Sequence, residues 1–189
     1  MKIRLTSVLI FAALAIQVSA QNNVQEKVNR IRKVYSEAAQ QIAAAEKDEE
    51  SGTMSPLAVN ELILNKLNRS WAAVGNYKVV FRFYYRNKDE EPYPTELVKV
   101  TKNSEISARR YMEEFLFDTG GNLIFYFEIS DDGETPLERR MYFDRGRAIR
   151  VVEDKSMRDK PTKADRSNTG IAMDKGRRIR ELFLKSIKE

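Results

Sequence analysis

The sequence predicts an α+β fold, an antiparallel meander sheet of about six or seven strands with an N-terminal and a C-terminal amphipathic helix. Three observations carry that reading. Apolar residues recur in alternating steps of four and three from Val24 to Ala45. Short alternating segments separated by turn residues fill the stretch from Tyr77 to Val152. Helical spacing then returns between Ala172 and Ile187.

Ahead of these elements, residues 1–20 (MKIRLTSVLIFAALAIQVSA) read as an export leader. Lys2 and Arg4 are basic, Leu5 to Ile16 is apolar but shorter than the ~20 residues of a membrane span, and Val18-Ser19-Ala20 is a small-residue cleavage signature. Cleavage before Gln21 leaves residues 21–189 as one expected α+β domain, periplasmic or secreted.

In the first helix, Val24, Val28, Ile31, Tyr35, Ala38, Ile42 and Ala45 draw a narrow apolar stripe, with Glu26, Lys27, Arg30, Arg32, Lys33 and Glu37 on the other faces. Alanines in the stripe suit close packing on a sheet, and three heptads are short for a coiled coil. The expected partner is the chain's own sheet, with a dimer through this helix as the alternative. Lys47 to Pro56 is a polar connection broken by Gly52 and Pro56. Leu57 to Leu67 fits a strand or a helix and is assigned as a strand, because Asn65 to Asn76 resembles a wide hairpin loop leading into a clear strand, Tyr77–Arg86.

In that strand Tyr77, Val79, Phe81, Phe83 and Tyr85 form the expected core face, and Lys78, Val80, Arg82, Tyr84 and Arg86 the other. Asn87 to Pro94 is a charged loop, Glu96–Thr101 a further strand, and Ile106–Phe117 one long strand. Phe117-Asp118-Thr119-Gly120-Gly121 and Phe143-Asp144-Arg145-Gly146 then repeat one order: aromatic, aspartate, any residue, glycine. Each predicts a tight hairpin in which the aspartate bonds backbone N–H groups and glycine supplies the positive φ. The expected strands around them are Tyr111–Phe117, Asn122–Ser130, Leu137–Phe143 and Arg147–Val152, with Asp131 to Glu134 turning the chain between the hairpins. Lys155 to Asn168 lacks periodicity and is expected to be a loop.

Charge and composition exclude much chemistry. Without Lys2 and Arg4 the chain holds 31 basic and 28 acidic side chains, which does not point to a nucleic-acid partner. The surplus sits in residues 155–189, with 11 Lys or Arg against 5 Asp or Glu, and the simplest reading is a solvated helix face. No cysteine is present, so neither disulfides nor a lipid-anchoring cysteine are expected. Histidine is absent as well, which removes Ser-His-Asp and Cys-His nucleophiles and the common transition-metal ligand sets. No glycine-rich nucleotide loop occurs, and no cofactor is expected.

Two chemistries need neither residue. Paired-carboxylate hydrolysis could draw on Glu113, Glu114, Asp118, Glu128, Asp131 and Asp132, and calcium could bind Asp131-Asp132-Gly133-Glu134. The glycine turn explains the second cluster as a plain hairpin, and no catalytic or metal-ligating residue is assigned. Tyr84, Tyr126 and Tyr142 are expected on a solvent-facing side of the sheet, and Trp71 in a loop. Exposed rings of this kind can stack on sugars or anchor a protein, and they are the binding candidates.

The leader ending VSA before Gln21, the alanine-rich first helix, and the runs ISARRYMEEFLFDTGGNLIFYFE and ERRMYFDRGRAIRVVE resemble a group of small exported proteins of Bacteroides-type bacteria. The resemblance implies a periplasmic or secreted α+β protein and carries over no activity and no functional residue. The expected function is a non-catalytic binding module for a glycan, a peptide or an envelope protein, using a sheet face or the cleft between sheet and helices. The alternative is a carboxylate-dependent hydrolase of an envelope polymer.

Overall fold

The computed structural model describes residues 4–51, 57–86, 96–131 and 136–188, with side chains of the first helix described over 23–47. Two helices bracket nine strands: α1 (Arg4–Ser51), β1 (Ala58–Leu64), β2 (Ser70–Trp71), β3 (Gly75–Arg86), β4 (Glu96–Ile106), β5 (Arg109–Phe117), β6 (Leu123–Asp131), β7 (Leu137–Asp144), β8 (Arg147–Glu153), β9 (Ser156–Arg158) and α2 (Lys163–Ser186). The strands form one antiparallel meander in the order β1-β3-β4-β5-β6-β7-β8-β9, with β2 paired to the start of β3. The α+β meander expected from the alternation is therefore present, with more strands than six or seven. Among the described residues no helix is long and apolar enough to cross a membrane. The expected Lys47–Pro56 connection is corrected in its first half, because α1 continues through Lys47 to Ser51; residues 52–56, the expected 87–94 loop, residues 132–134 of the expected turn and the side chains of the expected leader lie outside the described residues.

The largest correction concerns the sheet's faces. One side was expected to face water; instead each side carries a helix. Val28, Ile31 and Ala38 of α1 pack with Tyr84, Val98, Leu116, Phe125 and Tyr142, while Ala172, Ile179 and Phe183 of α2 pack with Phe81, Phe83, Phe115, Tyr126, Met141 and Phe143. The Val24–Ala45 stripe thus lies on the chain's own sheet. With both faces covered, strand residues of either parity are buried, as in β4, where Leu97, Val98, Lys99 and Val100 are buried in succession. On the far side, α2 approaches the sheet closely at Gly176, where an added Cβ would stand 3.0 Å from Leu123 Cδ2.

The turns follow local chemistry. Asp118 Oδ1 accepts from the Asn122 amide at 2.8 Å and Gly121 sits at φ +76°, as the repeat predicts. At the second hairpin Arg145 and Gly146 both take positive φ, but Asp144 turns away and pairs with Lys27 of α1 at 2.7 Å. The expected strand Ile106–Phe117 is broken by a hairpin at Ser107-Ala108, where Ser107 adopts φ 56° and its amide donates to the Asn76 carbonyl at 2.7 Å. The expected 155–168 loop holds β9 and the first turns of α2. Thr162 caps that helix: its hydroxyl accepts from the Asp165 amide, and the Asp165 carboxylate accepts from the Thr162 amide, a complete capping box.

Candidate functional site

Alternation and register decide where each side chain points. Phe125 pairs with Tyr142 and Tyr126 with Met141, so Tyr126 and Tyr142 emerge on opposite faces. Tyr126 lies under α2; Tyr142 and Tyr84 lie under α1. All three are buried, between 1 and 4% exposed, so the open tyrosine face expected from the sequence does not exist. Trp71 is 49% exposed, one indole face stacked on Tyr77 with ring centroids 4.6 Å apart.

On the α2 side the sheet holds an ionic chain. Glu113 accepts from Lys102 at 2.5 Å, from Lys175 of α2 at 2.6 Å and from the Tyr126 hydroxyl at 2.6 Å. That hydroxyl also lies 2.6 Å from Glu128, which is paired with Arg139; Arg139 reaches Glu153, and Arg158 grips Asp165 of α2 through two bonds. Lys175 and Asp165 therefore tie two points of α2 to the sheet. Burial alone would raise the Glu113 carboxyl, but the two lysines and Tyr126 outweigh it and hold it down to about 2. Arg158, then Thr162, hold Asp165 well below the usual carboxylate range. Burial, followed by the charges of Glu113 and Glu128, pushes the Tyr126 phenol far up, so it stays a neutral donor.

These depressed carboxyls give a pH dependence with a definite sign. Their stabilisation is fully present above the unfolded carboxylate range and is lost as pH falls through the folded values. Chemical denaturation midpoints should stay level from pH 7 to about 5 and fall steeply between about 4.5 and 2. Glu113→Gln should start lower and fall less over the same interval; an unchanged slope would detach Glu113 from the effect.

On the α1 side, Lys99 is buried beside Glu114 at 3.0 Å, and Tyr35 donates to the same carboxylate at 2.7 Å. Burial, then Glu114, raises the Tyr35 phenol. Next to it a cleft of 240 Å³ is walled by Ile31, Tyr35, Phe125, Phe127 and Tyr142, with Arg32 and Arg140 at its mouth. Tyr84 lines a 470 Å³ cleft with Glu46, Glu61 and Arg82, in which Glu61 and Arg82 are paired at 2.8 Å.

A third cleft, of 650 Å³, lies between β8 and the N-terminal half of α2. Phe143, Ala148, Pro161 and Met173 contribute its apolar lining, and Arg166, Thr169, Gly170 and Met173 reach it from α2 at three- and four-residue steps, one helix face. Nothing stands within 4 Å of where a Gly170 Cβ would be, so that helix face is indented there. Arg147, Lys160 and Arg166 supply exposed cations, and none of the three forms an ion pair among the described residues. The cleft's one carboxylate, Asp159, is neutralised by Arg150, which grips it with bonds of 2.5 and 2.8 Å while also donating to Gln25 of α1.

None of the five described carboxylates considered for hydrolysis lines these clefts. Glu113, Glu114 and Glu128 are bonded to cations and tyrosines, Asp118 is bonded within its turn, Asp131 ends β6, and Asp132 lies outside the described residues. No group of three or more acidic side chains spaced for a metal ion occurs among the described residues. Sequence reasoning missed the cleft's cations. The signal was the basic surplus of residues 155–189, read as a solvated helix face although Lys160 and Arg166 line a concavity. No known protein-family model, no curated protein and no solved structure matches the chain.

Proposed function

We propose that this is an exported, non-catalytic binding protein that holds an acidic glycan or peptide, or the acidic surface of an envelope protein, in the β8–α2 cleft. The observation that carries the reading is the pairing of three cations lacking carboxylate partners among the described residues with an apolar floor in one 650 Å³ concavity. Sites for small ligands combine such a largely apolar lining with a few orienting polar groups. Cations without carboxylate partners favour a negatively charged ligand, and their attraction weakens with salt. The leader-like first twenty residues support export to a periplasm or beyond.

An array of neutral, carboxylated and sulfated glycans and of acidic and basic peptides tests this. Retention of carboxylated or sulfated members, falling as salt rises from 50 to about 500 mM, is the expected result. Retention of neutral or basic members alone would reject the anionic ligand, and no retention would reject the binding reading. The hydrolase alternative draws no support from the carboxylates, because the five named for it among the described residues lie away from the described clefts.

A further inference from the structure

The loop between β1 and β3 is built to stay open to its surroundings. Four of the nine exposed large apolar side chains of the described residues fall within it or at its start: Leu64, Leu67, Trp71 and Val74, with Leu67 71% exposed. The loop is nonetheless folded tightly. Asn65 bonds the Arg69 backbone and the Tyr77 carbonyl, the Val74 amide donates to the Trp71 carbonyl, β2 pairs with β3, and Trp71 rests on Tyr77. A preformed loop that leaves its largest apolar side chains outside is shaped to place them against something apolar.

Its charge says what. From Leu62 to Lys88 the sequence holds no acidic residue, and the loop itself carries exposed Lys66 and Arg69, neither in an ion pair among the described residues. The β4–β5 turn packs beside it, through the Ser107 amide on the Asn76 carbonyl, and brings exposed Arg109 and Arg110 to the same end of the sheet; Glu105 and Asp131, which flank Arg110 on β4 and β6, are the acidic residues there. Tryptophan and leucine ringed by lysine and arginine is the composition that settles at the boundary between lipid headgroups and acyl chains. An anionic headgroup layer complements Lys66, Arg69 and Arg109, each worth about fivefold in partitioning near such a surface, while Arg110 stands between Glu105 and Asp131.

We infer that this sheet end, tipped by Leu67 and Trp71, docks on an anionic lipid surface. The inference is independent of the β8–α2 cleft, whose residues lie elsewhere on the chain.

Trp71 is the only tryptophan, so its emission reports on this loop alone. Full-length protein is titrated with vesicles of equal phosphatidylglycerol and phosphatidylcholine, with phosphatidylcholine vesicles, and with a soluble sulfated glycan. Anionic vesicles should shift Trp71 emission to shorter wavelength, and brominated acyl chains should quench it. Leu67→Glu, at an exposed position, and Lys66→Glu/Arg69→Glu should each weaken partitioning about tenfold or more with circular dichroism unchanged. The inference is overturned by an unmoved Trp71 signal on anionic vesicles, even when the chain sediments with them through another segment. It is equally overturned by an equal shift on phosphatidylcholine, by variants that partition like the parent, or by a shift with the soluble glycan and none with vesicles.

Discussion

Replacing Phe183 with alanine should lower the unfolding free energy by about 3–5 kcal/mol, the range for deleting a fully buried phenylalanine. Phe183 is 0% exposed and sits in the last turns of α2, its ring centroid 5.8 Å from that of Phe83 and 5.1 Å from that of Tyr85. Alanine leaves a void bounded by aromatic rings that cannot collapse into it without leaving their rotamers. Because Phe183 and Ile179 are the buried apolar residues of the helix's C-terminal half, α2 should exchange its amides there faster than the sheet does. Leu182, exposed on the same turn, is the control, and its replacement by alanine should change stability by less than about 0.5 kcal/mol. A loss under about 1 kcal/mol for Phe183→Ala in urea denaturation would mean that α2 does not seal this face.

Glu113→Ala should cost about 3 kcal/mol. Removing one member of a buried ion network leaves its partners charged and unpaired, and here Lys102 and Lys175 lose their carboxylate at once, while the Tyr126 hydroxyl keeps Glu128 as acceptor. The figure lies at the low end for such breaks because the lysine side chains are 25 and 39% exposed and can turn to water. Exchanging Lys175 for methionine in the same background should recover part of the loss, since it removes an orphaned cation and keeps the packing of the stem. A cost of less than about 1 kcal/mol, or no recovery, would mean that the network is solvated and does not hold α2 to the sheet.

How far the sequence carried depends on whether the information was local. The stripe of α1 and the hairpins at Asp118 and Gly146 were legible because each is set by spacing or by residues a few positions apart. The break at Ser107 was not, because serine carries no special preference for positive φ and the position is held by a bond from a distant strand, to Asn76. The start of α2 was readable in principle: Pro161, Thr162 and Asp165 form a capping signature whose N-cap, Thr162, stands ten residues before the apolar spacing begins at Ala172. Apolar periodicity is silent there because Asp165 and Thr169 are buried polar residues.

The faces of the sheet were beyond reach for a different reason. Alternation places Tyr84, Tyr126 and Tyr142 on one face or the other of their own strands, but relative faces depend on register, and a one-residue shift inverts every assignment. Nor does alternation say that a second helix covers the second face. Of the four aromatic candidates only Trp71 is substantially open to solvent, and two of the three open cations of the β8–α2 cleft, Lys160 and Arg166, come from a segment whose charge was visible but whose concavity was not.

The central claim is that this cleft is an anion-binding site, and reversing its rim tests it most directly. The parent and the Arg147→Glu/Arg166→Glu variant are compared on the same carboxylated and sulfated glycans and acidic peptides, with thermal melts run alongside. Both positions are exposed, so the melts should coincide. Retention by the variant should fall at least about tenfold, because two attractive contacts become repulsive and each 1.4 kcal/mol is a factor of ten. Equal retention of the acidic ligands by parent and variant would contradict the claim.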